Sequence, residues 1–110
     1  MFLPPARVRI FLCRQPTDMR KSFDSLAALV REVVSGDPLS GDAFVFKNRD
    51  GDRIKVLWWD RCGFCLLYRR LEEGTYMFPE QGEVSAAELA MIFEGIDVSA
   101  ATRRKRYIRP

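Results

Sequence analysis

The sequence contains no histidine. That absence removes the usual general base of neutral pH and, with it, Ser-His and Cys-His nucleophile pairs. Three cysteines remain as the only soft metal ligands, one short of a four-ligand structural zinc site. An odd number of cysteines in 110 residues also fits free thiols in a reducing compartment better than a disulfide framework. No apolar run approaches the ~20 residues that cross a bilayer. The amino terminus lacks the basic region and apolar stretch of a signal peptide, so a cytoplasmic protein without membrane contact is expected. There is no P-loop, no dinucleotide glycine fingerprint and no internal repeat. Carboxylates such as Asp60, Glu72, Glu73, Glu80 and Glu83 would have to converge to serve a two-metal nuclease; carboxylates near turns are ordinarily solvated surface. Nothing here implies a catalytic residue, a metal, a cofactor or a small-molecule substrate, and a non-enzymatic role is expected.

What is present is one domain's length of ordinary globular composition, 47% apolar and 30% charged. The charge is unevenly placed. Arg103, Arg104, Lys105, Arg106 and Arg109 supply 5 of the 18 basic residues, which leaves 13 basic against 15 acidic residues in the first 102. The expectation is a compact α+β domain over 1–98 and a basic, flexible tail over 99–110. Such a tail suits contact with nucleic acid or an acidic partner, and equally suits a solvated extension that aids solubility.

Along the chain, "RVRIFL" (7–12) alternates as a strand that Pro16 ends. Thr17 or Asp18 can cap a long amphipathic helix whose Met19, Phe23, Leu26, Ala27, Val30, Val33 and Val34 recur every three or four residues, with Gly36 as a left-handed terminator. From residue 43 the period falls to two: "AFVFKN" and "RIKVLWW" flank an Asp-Gly turn signal, and "FCLLYRRL" and "TYMF" follow after further turns. That pattern predicts an antiparallel β-meander of four strands. The 53–59 strand carries bulk on both faces, which predicts a central position, with Trp58 in the core beside Ile54 and Val56 and Trp59 on the other face near Lys55, Arg69 or Arg70. Ser85 and Glu88 form a capping box and Val84 and Leu89 a hydrophobic staple for a short C-terminal helix from about residue 86, capped at Gly95. The long helix is expected to cover one sheet face.

Cys62-Gly63-Phe64-Cys65 has thioredoxin-type spacing, but that chemistry sets its first thiol at a helix N-terminus, and here the flanks are strands. One turn thiol and one half-buried strand thiol are expected instead. Trp59 could stack on an unpaired base, anchor an oligomer or protein interface, or pack beneath the second helix; packing is favoured over stacking. Arg20 and Lys21, in the predicted first helical turn, oppose the helix dipole. A phosphate drawn to that helix end would offset the cost, and ion pairs with Asp18 and Asp24 are the simpler explanation.

Five segments taken in order, "TDMRKSFDSLAALV" (17–30), "DPLSGDAFVF" (37–46), "GDRIKVLWWD" (51–60), "GFCLLYRRLEEG" (63–74) and "ELAMIFEGID" (88–97), resemble the small accessory protein, called TnpB, of insertion-sequence family 66 transposons. It is distinct from the RNA-guided nucleases that share the name. The likeness spans about residues 3–98. The family's pattern falls on Thr17, Asp18, Met19, Arg20, Lys21, Phe23, Asp24, Lys55, Trp58, Trp59, Asp60, Arg70, Leu71, Glu94, Gly95 and Asp97. It carries no characteristic cysteine at Cys62 and no fixed tail sequence. The resemblance implies a role in bacterial DNA transposition beside a separate transposase that holds the acidic catalytic residues. The expected function is a non-catalytic accessory factor binding transposase, transposon DNA or both. Its alternative is a pure protein-interaction module that assembles the transposase complex. Candidate nucleic-acid contacts are Arg20, Lys21, Lys55, Arg69, Arg70, Arg103, Arg104, Lys105 and Arg106. Candidate interaction residues are Trp59 and Asp60, with Lys55, Trp59, Asp60 and Arg70 together forming a displayed mixed surface.

Overall fold

The computed structural model describes residues 8–99. The fold is α+β, built on a five-stranded mixed sheet with a helix packed on each face. The elements are β1 (Ile10–Leu12), α1 (Phe23–Leu29) continued by a π-helical turn (Val30–Val34), β2 (Ala43–Lys47), β3 (Arg53–Trp59), β4 (Phe64–Arg70), β5 (Glu83–Val84) and α2 (Ala86–Phe93). Sheet order is β4-β3-β2-β1-β5, with β1 parallel to β2 and every other neighbour antiparallel.

Alternation along β2 and β3 sorts the core into two layers. Ile10, Leu12, Val45, Ile54, Val56 and Tyr76 pack with Leu89, Ile92 and Phe93 of α2, and Trp58 is half-buried against them as its periodicity predicts. Phe44, Phe46 and Leu57 face the other way, onto Leu26, Ala27 and Val30 of the long helix. β3 is accordingly interior, since both its faces have an apolar layer to meet.

The capping box forms as expected: Glu88 N–H donates to Ser85 Oγ (3.1 Å) and Ser85 N–H to Glu88 Oε1 (2.8 Å). Gly95, at φ 75°, closes α2. Three expectations need correction. The long helix starts at Phe23 behind Ser22, whose N–H donates to Ser25 Oγ (3.1 Å), rather than at Thr17 or Asp18. Thr17 instead extends the line of β1, donating its N–H to Lys47 O (2.8 Å), and Asp18 makes a tight turn in which Arg20 N–H reaches the Asp18 carboxylate (2.9 Å). Arg20 and Lys21 therefore precede the helix, and the dipole cost assigned to them does not arise.

Second, the left-handed residue after the π turn is Ser35, at φ 58°. Gly36 serves close approach: a Cβ there would lie 3.0 Å from the Phe44 ring, which is buried and stacked on Phe11. Third, 75–78 is not a strand. Tyr76 N–H donates to Gly51 O (2.7 Å) and Tyr76 O accepts from Lys47 Nζ (3.2 Å), so this segment crosses the end of the sheet at the β2–β3 turn. The last strand, β5, lies on the far edge beside β1, which leaves an antiparallel meander of three strands.

Candidate nucleic-acid interface

The turn after β3 answers what Asp60 and the cysteine pair do. Asp60 Oδ1 accepts the N–H groups of Cys62 (3.1 Å) and Gly63 (3.0 Å), and Oδ2 accepts the Cys65 thiol (3.5 Å). Those donors hold its carboxyl below the usual aspartate range, the Cys62 N–H contributing most. Burial, then the Asp60 carboxylate, pushes the Cys65 thiol up, opposite to what a reactive thiolate requires. Cys62 is exposed in the turn and Cys65 half-buried in β4. Among the described residues no three metal-ligating side chains converge.

A group whose folded pKa is depressed stabilises above its unfolded pKa and loses that contribution as pH falls through the folded value. The difference in stability between the wild type and Asp60→Asn is therefore expected to be full above about pH 5 and to shrink below about pH 4, read by urea denaturation across that range. A difference independent of pH would show that the turn does not depend on the carboxylate charge.

The candidate cations go to different places. Lys55 is buried, its Nζ donating to Met19 O (2.8 Å) and Lys21 O (2.7 Å) and lying 4.6 Å from the Tyr68 ring centre. It is withdrawn from any surface. Arg69 and Arg70, adjacent in β4, point to opposite faces; Arg69 covers the Phe93 ring on the α2 side (4.9 Å) and Arg70 pairs with Glu72 (3.0 Å). Arg20 is bidentate to Asp18, which its guanidinium holds at a pKa of about 2. With the Arg20 side chain 91% exposed, that pair contributes little stability. Lys21 makes no ion pair among the described residues. Trp59 meets Phe64 edge to face (5.1 Å) at the end of β3 remote from Arg70, about 20 Å along the strand. The expected mixed surface of Lys55, Trp59, Asp60 and Arg70 therefore does not exist: one member is buried and the rest lie at opposite ends. Arg103, Arg104, Lys105 and Arg106 lie outside the described residues.

What the structure brings together is a basic rim that includes residues missed in the sequence. An open groove of about 570 Å³ runs between the 16–19 loop and the β2–β3 turn, lined by Asp18, Met19, Asn48, Arg49, Asp50 and Arg53 among others. A second hollow of about 350 Å³, lined by Arg53, Tyr68, Arg69, Arg70 and Glu72, adjoins it through Arg53. The strand register sets Arg53 directly opposite Arg70. Leu71 N–H donates to Asp52 O (2.8 Å), which makes the Arg53–Arg70 pair a non-hydrogen-bonded one, the closer kind. The Arg53 guanidinium donates to the Tyr68 hydroxyl (3.4 Å) and makes no ion pair among the described residues. Tyr68 is 48% exposed, on the same face. This arrangement was legible: counting back from the Asp60–Gly63 turn pairs residue 53 with residue 70.

Fold and surface together define a small α+β domain with an open, mixed-charge groove and a basic rim, without an enclosed pocket in that region. The chain belongs to the family described as IS66 Orf2-like protein, whose model matches residues 8–103. It is therefore an insertion-sequence-associated protein. Among similar proteins, the uncharacterized y4hO of Sinorhizobium fredii is 43% identical over 94 residues, 82% of each chain. The uncharacterized y4jC of the same organism is 32% identical over 108 residues, covering 94% of this chain and 92% of its own. No solved structure matches. No helix among the described residues is long and apolar enough to cross a membrane.

Proposed function

We propose that this chain is a non-catalytic accessory factor of insertion-sequence transposition that rests its basic rim on the phosphate backbone of transposon DNA, beside a transposase that supplies the chemistry. The observation that carries the reading is Arg53 directly across from Arg70. Like charges in that position repel and destabilise a sheet. Glu72 offsets part of this on the Arg70 side, and a phosphate between the two guanidinium groups offsets the rest and gains two charge-assisted hydrogen bonds, for which guanidinium geometry is suited. Tyr68 beneath them and Arg49 on the adjoining groove extend the same surface. Phosphate contacts fix position without reading bases, so discrimination of the transposon end rests on groove shape or on the transposase.

Fluorescence anisotropy with a transposon-end duplex and a scrambled duplex, across a salt series, tests this. Arg53→Ala/Arg70→Ala is expected to weaken binding to both duplexes alike and to flatten the log–log salt slope by about 1, since the two arginines share one phosphate and each phosphate neutralised adds roughly 0.9 to it. Deletion of 103–110, measured in parallel, separates the tail's share. An unchanged slope in the double variant would remove the rim from the interface. Little binding by the wild type at low salt would favour the pure protein-interaction module.

A further inference from the structure

β4 lies at the sheet edge and carries apolar side chains on both faces. Phe64, Cys65, Leu66 and Leu67 alternate between the two faces and all four are half-buried. Leu67 packs on the α2-side core and Phe64 and Leu66 on the α1-side core, so both faces of β4 meet an apolar layer while its outer edge keeps these side chains partly exposed. Edge strands are normally blunted by proline, by charged side chains or by a bulge; β4 has no proline or bulge and confines its charge to Arg69 and Arg70 at one end, and its register with β3 is unbroken from Arg53–Arg70 to Trp59–Phe64. The phase of the ladder follows from its ends. Leu71 N–H reaches Asp52 O, and Gly63 O accepts Asp60 N–H, so odd-numbered residues bond to β3. Phe64, Leu66, Tyr68 and Arg70 thus turn their N–H and C=O groups outward, where no main-chain group of the described residues meets them.

We propose that two copies of this chain pair β4 to β4, antiparallel about a two-fold axis at Leu67, into one continuous ten-stranded sheet. The occupant is a second copy because the strand is complementary to itself. Only the register centred on Leu67 overlaps all seven residues, Phe64–Arg70. It sets Leu66 against the second copy's Tyr68 and Phe64 against its Arg70, an apolar contact and a cation over a ring. The two Arg70 side chains then stand about 20 Å apart, at six residues of ~3.4 Å each. The same pairing carries the second copy's Glu72–Glu73 corner toward Arg61, a cation with no ion pair among the described residues. An isologous contact of this kind closes at two copies and leaves β5 as the outer edges.

Sedimentation velocity of the full chain over a concentration series tests the pairing. The wild type is expected to sediment at twice the monomer mass and to dissociate on dilution. Leu66→Pro removes an outward N–H without touching the β3 ladder, and Tyr68→Glu, which leaves Lys55 a negative neighbour in place of the ring, brings two carboxylates across the axis. Both are expected to weaken dimerisation at least about tenfold, with folding checked by thermal denaturation. If Leu66→Pro does not fold, Tyr68→Glu alone decides. A wild type that stays monomeric throughout, including one that pairs only with a different protein, would overturn the proposal. So would folded variants that dimerise as tightly as the wild type.

Discussion

Lys55→Ala is expected to lower the free energy of unfolding by about 3–5 kcal/mol. Lys55 is 6% exposed in the middle of β3, with its stem between cross-strand neighbours Phe46 and Tyr68 on the α1 face. Its ammonium donates to Met19 O and Lys21 O, two carbonyls in the short connection ahead of α1. Charge-assisted hydrogen bonds contribute about 1.5–3 kcal/mol each, and truncation also leaves both carbonyls without their donor and the stem's packing unfilled. Lys55→Met keeps the stem but loses both bonds and the ammonium's contact with the Tyr68 ring, so about 3–4 kcal/mol is expected. Urea denaturation gives both values. Hydrogen exchange adds a local readout, because the 18–22 amides should lose protection in either variant. A loss under about 0.5 kcal/mol for Lys55→Ala would place this lysine with ordinary surface substitutions. The functional consequence is indirect. Lys55 touches no ligand surface, but it fixes the loop that bears Arg20 and Lys21 and forms one wall of the groove.

Tyr76→Ala is expected to cost about 3–5 kcal/mol, the range for deleting a buried aromatic ring. Tyr76 is 1% exposed within the layer under α2, on a segment with almost no regular structure of its own. Its ring and its two main-chain bonds, to Gly51 and Lys47, pin the crossing from β4 to β5 against the sheet. The phenol hydroxyl makes no hydrogen bond among the described residues, and burial pushes its pKa up. Tyr76→Phe is therefore expected to stay within about 1 kcal/mol of the wild type or to exceed it, since it removes a buried polar atom without opening a cavity. The pair of variants discriminates between causes. Equal losses in both would mean that the hydroxyl carries the stability, and a small loss in Tyr76→Ala would mean that the segment is held elsewhere.

Much of the α+β fold was legible because it rests on local chemistry. The 43–48 and 53–59 strands alternate with period two, the Asp-Gly turn joins them, and the Ser85–Glu88 box needs only residues three apart. The 64–70 strand and its turn followed from the same rules. The misreadings have a common cause. "TYMF" has strand composition, but its hydrogen bonds go to a turn 25 residues upstream, and composition does not record that destination. "TDMRKS" looks like a helix start because Thr and Asp are good caps. Asp18 instead closes a turn on its own neighbour Arg20, and Lys55, from a distant strand, takes the carbonyls that a longer helix would use.

The same division holds for the candidate surface. Sequence alone determined that Trp58 and Trp59 separate, that the cysteine pair spans a turn and a strand, and that five ordered segments carry the family likeness. All of these are set by the period of a strand or by linear order. Only the tertiary structure decided that Lys55 is internal and that Arg49, from the β2–β3 turn, joins the Arg53–Arg70 pair on one rim. Burial and convergence depend on which elements pack together, and long-range contacts are fixed by the sum of both core layers rather than by any window of sequence.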